Sequence, residues 1–384
     1  MMFASQLALT IFLPAVPDIA RDLNTSLGRV QLIIPAYLIA FAIMQLVAGS
    51  LSDRFGRRPV ILGGVALFMV ASLGCAFATD IWQLLGGRFF QAAGACTSIV
   101  VGRAIVRDTN DGKSAALAMS YLAISLGIGP AVAPFFGGLL VEAFNWRATF
   151  LATAAMSALS LVCAIPVLKE TLPPCDRVPT GFSQLVSGYL ALARQPGFMG
   201  YSLTISFQSA IFQVFMTAAP IVLIAQLGLT PRVFGLYLMV IPVAFMTGSF
   251  VSGRLVKHVP LDAIIGAGCT LGVLGGLMQI GLAVSGLATA PLIVAAILVS
   301  NFGTGLVLAN CYAEALNQVA PSFAGSASAL GGFLHMGWAF AISLIVANLP
   351  HTLSLQLGIA QTATTVASLT VFLLVVRYYG RAER

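Results

Sequence analysis

Few side chains in this chain of 384 residues could do chemistry, and those few stand apart in long apolar stretches. Arg88 lies six residues into a predicted helix that begins near residue 82, about 9 Å along its axis. A cation at that depth needs a partner, unless it snorkels to the nearer interface. His335 lies 12 residues beyond Phe323 in a later predicted helix, about 18 Å along it. An imidazole suits a proton carrier, with an ordinary pKa of about 6.5, and equally suits a hydrogen-bonding contact to a substrate. Glu314 is the only acid between Asp262 and Glu383; it reads as a proton-coupling group or as an anchor at the cytoplasmic interface. Asp53 stands among Arg54, Arg57 and Arg58. A carboxylate at a helix boundary can accept hydrogen bonds from a neighbouring helix N-terminus in one conformation and lose them in another; a solvated ion pair is the alternative reading.

The same scarcity excludes several function classes. The predicted spans hold no paired histidines, no facing carboxylates and no Gly-x-Ser-x-Gly elbow, so an enzyme is not expected. A nucleotide-driven pump is disfavoured because no phosphate-binding loop of Walker type occurs. The six cysteines, Cys75, Cys96, Cys163, Cys175, Cys269 and Cys311, form no close pair and support neither a disulfide framework nor a metal site.

Elements that could position such isolated groups follow from charge. Lys and Arg number 19 and Asp and Glu 12, or 8% of the chain, where a soluble domain carries about 25%. With 59% apolar residues, only lipid fits as the solvent. A charge deep in the bilayer costs several kcal/mol, so charge-free runs mark the spans. Helices are predicted near 2–17, 30–51, 59–78, 82–103, 114–141 and 148–168, then near 198–227, 233–256, 262–286, 291–312, 323–348 and 353–376. The last two pairs are parted by turn residues at 285–291 and 348–350. The first segment lacks a basic n-region and is read as a retained helix, not a signal peptide. A transmembrane β-barrel is excluded, since its strands would alternate and its lumen would be polar. Fourteen Lys and Arg fall on one side of this arrangement and four, Arg21, Arg29, Arg147 and Arg232, on the other. The positive-inside rule then places both termini and the central connection in the cytoplasm, and the net charge of +7 reflects topology rather than nucleic-acid binding.

The twelve helices divide six and six into an N-terminal bundle (1–168), a Pro-rich linker (169–197) and a C-terminal bundle (198–384). Ser52-Asp53-Arg54 at the end of the second helix is matched by Ser252-Gly253-Arg254 at the end of the eighth, an offset of 200 residues. Duplicated bundles place a substrate site near the midplane between them. Thr10, Tyr37, Gln91, Gln208, Phe212, His335 and Trp338 are the polar and aromatic residues at suitable depth. A lining so poor in charge suits lipophilic or amphipathic molecules.

Several motifs carry a family likeness. They are Leu13-Pro14-Ala15-Val16-Pro17-Asp18, Gly49-Ser50-Leu51-Ser52-Asp53-Arg54-Phe55-Gly56-Arg57-Arg58-Pro59, Arg88-Phe89-Phe90-Gln91-Ala92-Ala93-Gly94, Arg103-Ala104-Ile105-Val106-Arg107-Asp108 and Ala324-Gly325-Ser326-Ala327-Ser328-Ala329. With the Gly/Pro pattern of the fifth helix, they make the chain resemble the major facilitator superfamily and, within it, bacterial drug:proton antiporters of the Bcr/CflA type. The resemblance implies an all-α membrane fold of two pseudo-symmetric six-helix bundles, working as a monomer in the bacterial inner membrane. It implies proton-coupled efflux of drug-like or amphipathic small molecules by alternating access, powered by the proton gradient without a bound cofactor. A porter for one small metabolite, such as a sugar, an amino acid or a biosynthetic product, is the alternative.

By resemblance, Asp53 latches the two halves in the outward-facing state, with Arg54, Arg58 and Arg103 in the same gating set, and Arg88 serves proton coupling. Gly127, Gly129, Pro130, Pro134, Gly137 and Gly138 form the antiporter motif, which packs the fifth helix against the eighth. One departure stands out. Related antiporters carry an acid on the first helix just before the Leu-Pro-Ala stretch; here the position is Thr10, which cannot carry a proton.

Overall fold

The computed structural model describes residues 1–110, 112–177, 182–320, 323–348 and 353–379; the side chains of some positions within these ranges, and the surroundings of Gly127, lie outside the description. Among the described residues are twelve long helices: α1 (Met2–Asp22), α2 (Leu27–Phe55), α3 (Arg57–Ala76), α4 (Ile81–Thr109), α5 (Gly112–Ala143), α6 (Arg147–Val167), α7 (Pro196–Gln226), α8 (Pro231–Leu255), α9 (Leu261–Val284), α10 (Ala290–Asn317), α11 (Ala324–Asn348) and α12 (Leu353–Tyr379). Eleven are long and apolar enough to cross a bilayer, and the described part of α5 contributes a shorter apolar stretch, Ile128–Ala143. No strand occurs among the described residues. In hydrocarbon every backbone polar group must find its partner internally, which a helix achieves within one segment.

The helices differ from the sequence expectations in three ways, each with a physical cause. First, α1 is not one continuous helix over 2–17: a 3-10 turn at Leu13–Ala15 interrupts it, with Pro14 in the turn and Pro17 at the start of the next piece, and it runs on to Asp22. Second, α4 and α10 extend past the expected ends at 103 and 312, to Thr109 and Asn317. A charge marks where hydrocarbon ends, not where the backbone stops being helical. Third, the Pro-rich connection contains an amphipathic helix, Phe182–Ala193. The expected turn at 285–291 is present, with Gly286 at φ +71°, while residues 349 and 350 of the second expected turn lie outside the described residues. At the end of α7, Pro220 opens a π-helical stretch, Pro220–Gln226, as expected where a residue without an N–H interrupts the regular ladder.

Contacts divide the chain into two units, Met1–Leu185 with Thr230–Leu236, and Val186–Leu229 with Tyr237–Arg384. In the first unit α3 packs on α4 and α6, and α1 on α4 and α5. In the second unit α9 packs on α10 and α12, and α7 on α10 and α11. The same four pairs therefore recur six helices later. Small residues set the crossings that repeat: a Cβ on Gly94 of α4 would press on Phe68 N of α3 at 2.6 Å, and a Cβ on Gly268 of α9 would meet the Gly303 carbonyl of α10 at 2.6 Å. Such close approach drives helix association where lipid removes the hydrophobic incentive.

Candidate functional site

Arg88 is wholly buried in the first unit, with no accessible surface. It sits on α4, two turns after Asp80, whose carboxylate caps the helix through the Trp82 and Gln83 amides. Its guanidinium is flanked by aromatic rings: Cζ is 4.5 Å from the Phe12 ring centroid and 4.3 Å from that of Tyr37. When desolvated, each contact of this kind contributes about 2 kcal/mol. Nη1 donates to the Ala8 carbonyl at 2.8 Å and to Gln91 Oε1 at 2.6 Å. Gln91 Nε2 in turn donates to Ser72 Oγ at 2.7 Å, and Ser72 Oγ to the Phe68 carbonyl at 2.7 Å. Tyr37 Oη donates to the Ser5 carbonyl at 3.3 Å. Nε and Nη2 of Arg88 are buried without an acceptor, and so is the Thr10 hydroxyl. Among the described residues no carboxylate pairs with Arg88.

A second cluster surrounds the α2–α3 turn. Gly56 takes φ +97°, a conformation glycine adopts freely. A Cβ there would strike Glu170 Oε2, so the missing side chain admits that carboxylate. Glu170 Oε1 accepts from the amides of Arg57 at 2.9 Å, Thr171 at 3.0 Å and Leu172 at 3.1 Å, and Oε2 accepts from the Arg58 amide at 3.3 Å. It thereby satisfies the otherwise orphaned donors at the start of α3. Burial pushes the Glu170 carboxyl up, but these four N–H groups outweigh it and hold the group below the usual carboxylate value. The Arg57 side chain binds Asp53, Ser52 Oγ at 2.6 Å and Asp108 Oδ2 at 2.9 Å, tying the ends of α2, α3 and α4 together. Arg58 donates to the Ile165 carbonyl at 3.0 Å, and Arg54 lies 5.3 Å from the Phe55 ring. Arg103 is exposed.

The Gly/Pro pattern lies on a helix that is continuous through Pro130 and Pro134. Gly129 and Gly137 face α1, against Gln6 and the Ile11 carbonyl. A Cβ on Gly138 would lie 2.5 Å from the Pro231 carbonyl oxygen, and one on Gly235 would lie 2.6 Å from Phe135 Cα. Glu142 Oε1 accepts from the Arg232 amide at 3.0 Å. Gly127 lies outside the described surroundings.

In the second unit, Gln208 Nε2 donates to the Gly268 carbonyl at 3.4 Å, while its Oε1 is buried without a partner. Trp338 meets Phe207 edge-on, with centroids 4.6 Å apart, and its Nε1 has no acceptor. Phe212, Glu314 and His335 are partly buried. Neither Glu314 nor His335 makes a described side-chain hydrogen bond or ion pair. The first unit thus gathers Arg88, Gln91 and Tyr37 into one cluster, while Glu314 and His335 belong to the second unit.

A family model described as Major Facilitator Superfamily matches residues 1–344. The chain belongs to the major facilitator superfamily. A Bacillus subtilis relative, the uncharacterized MFS-type transporter YdgK, is 32% identical over 95% of this chain and 91% of its own. Escherichia coli multidrug resistance protein D is 32% identical over 93% of this chain and 89% of its own. The crystal structure of a D-xylose-proton symporter superposes with a TM-score of 0.77 at 14% identity, covering 97% of this chain and 95% of the other. That likeness shows the major facilitator fold and nothing of the substrate.

Sequence reasoning about this superfamily member missed Phe12, Arg57, Asp108 and Glu170 as site residues. Arg57 and Asp108 stood inside quoted motifs and carried a signal. Phe12 did not, because an aromatic in an apolar run reads the same whether it meets lipid or a guanidinium.

Proposed function

We propose that the protein is a proton-coupled exporter of drug-like or amphipathic small molecules, working by alternating access in the bacterial inner membrane as a monomer with both termini cytoplasmic. The observation that carries this reading is the character of Arg88, the one charge among the described residues that is wholly buried inside a span. Arg88 is enclosed by Phe12 and Tyr37 with Gln91 as its sole side-chain acceptor, a setting for stacking and dispersion with few hydrogen bonds. A carrier of a sugar would need a denser polar lining. Membership of the superfamily and the name of the Escherichia coli relative support the same reading.

The partners are a small-molecule substrate and protons, and the proton gradient supplies the energy. The Asp53 cluster serves as the gate, and Glu314 and His335 are the candidates for carrying the proton where Thr10 cannot. The test is growth of an efflux-deficient bacterium expressing the protein, against a chemically diverse panel, with and without a protonophore. Protection against several unrelated compounds, lost with the protonophore, is expected; protection against none, or displacement by one metabolite alone, overturns the reading. In vesicles with an imposed pH gradient, undiminished transport by both His335→Ala and Glu314→Gln would remove both residues as carriers.

A further inference from the structure

The free edge of Arg88 has a definite chemistry. A guanidinium presents two parallel N–H groups on the edge shared by Nε and Nη2, the fork that takes both oxygens of a carboxylate. In this protein Nη1 is committed to Ala8 and Gln91, the two faces are covered by Phe12 and Tyr37, and the fork edge is what remains without an acceptor. The charge is equally uncompensated: no carboxylate among the described residues pairs with it. A buried cation with neither counter-charge nor full hydrogen bonding is costly.

We propose that the Arg88 fork is a binding site for the carboxylate of an amphipathic aromatic substrate, so that the cargo supplies the negative charge that no described carboxylate gives this cation. The rings of Phe12 and Tyr37 make the surrounding wall apolar, suiting an aromatic acid rather than a small hydrophilic one. This inference rests on the efflux reading and narrows it to organic anions.

The test uses the full chain, purified and in proteoliposomes, with salicylate as the aromatic carboxylate, salicylamide as its uncharged counterpart and chloride as an inorganic anion. Salicylate should raise the unfolding midpoint and exchange across the vesicle membrane, while salicylamide at equal concentration does neither. Arg88→Gln should weaken salicylate binding at least about tenfold. Arg88→Lys, which keeps the charge and loses the fork, should fall between. Equal stabilisation by salicylamide, equal stabilisation by chloride, or unchanged salicylate binding in Arg88→Gln would overturn the proposal. Should Arg88→Gln fail to fold, Arg88→Lys and the wild-type contrast between salicylate and salicylamide decide. A protein that protects cells against the diverse panel but neither binds nor moves salicylate sinks the anion site alone. One that binds salicylate through Arg88 yet protects against nothing sinks the efflux reading alone.

Discussion

Asp53 and Glu170 are carboxylates of the same cluster with opposite tasks. The Asp53 side chain is 44% exposed beside Arg57, and an ion pair so open to water contributes at most about 1 kcal/mol to stability. Asp53→Asn is therefore expected to insert and melt like the wild type while transport is abolished; near-normal efflux by that variant would show that the residue is no latch. Glu170 acts on stability. Its four backbone N–H partners hold its pKa below the ordinary 4.5, so the ionised form is the one the fold favours. That contribution is present above the ordinary carboxyl pKa and is lost as pH falls through the depressed one. Comparing unfolding midpoints with Glu170→Gln should show a wild-type advantage at neutral pH that shrinks on acidification below about pH 4.5; a constant difference would contradict it. Arg88 was legible in the sequence as a lone cation in an apolar helix. Glu170 was not, because its hydrogen-bond partners are amides, two of them more than a hundred residues away, and amides leave no trace in residue identity.

The twelve spans could be read at the level of elements because the cost of burying charge acts on every residue of a run. The helix ends at Thr109 and Asn317 could not, since the same cost vanishes once the helix enters water. The Phe182–Ala193 helix lay hidden among prolines that drew attention as breakers. The α3–α4 and α9–α10 crossings make a direct test of the duplicated packing. Gly94→Val and Gly303→Val should each lower stability by about 1–3 kcal/mol, because the added carbons meet neighbouring backbone. Thermal unfolding of both in one detergent measures this, and a tolerated substitution at either position would show that its crossing is loose.

For the whole molecule, the family and the fold follow from motifs and charge, whereas sidedness is open to a simple measurement. Cys175 is exposed between α6 and the Phe182–Ala193 helix, and Cys163 is the only other exposed cysteine among the six. In a Cys163→Ser background a membrane-impermeant maleimide should reach Cys175 from the cytoplasmic side alone, as it should Arg58→Cys and Lys257→Cys in variants stripped of Cys175. Labelling of Arg58→Cys and Lys257→Cys from opposite sides would contradict the topology.

The amphipathic helix ahead of α7 bears on how the gene can be divided. Leu192 is 1% exposed and shares a core with Phe198, Tyr201, Ile265, Cys311 and Phe372, with Tyr189 packed against them. The second bundle therefore begins to assemble before its first membrane-crossing residue. A fragment started at α7 would come off the ribosome with a hole where Leu192 and Tyr189 belong, whereas one started ahead of Phe182 would bring its own plug.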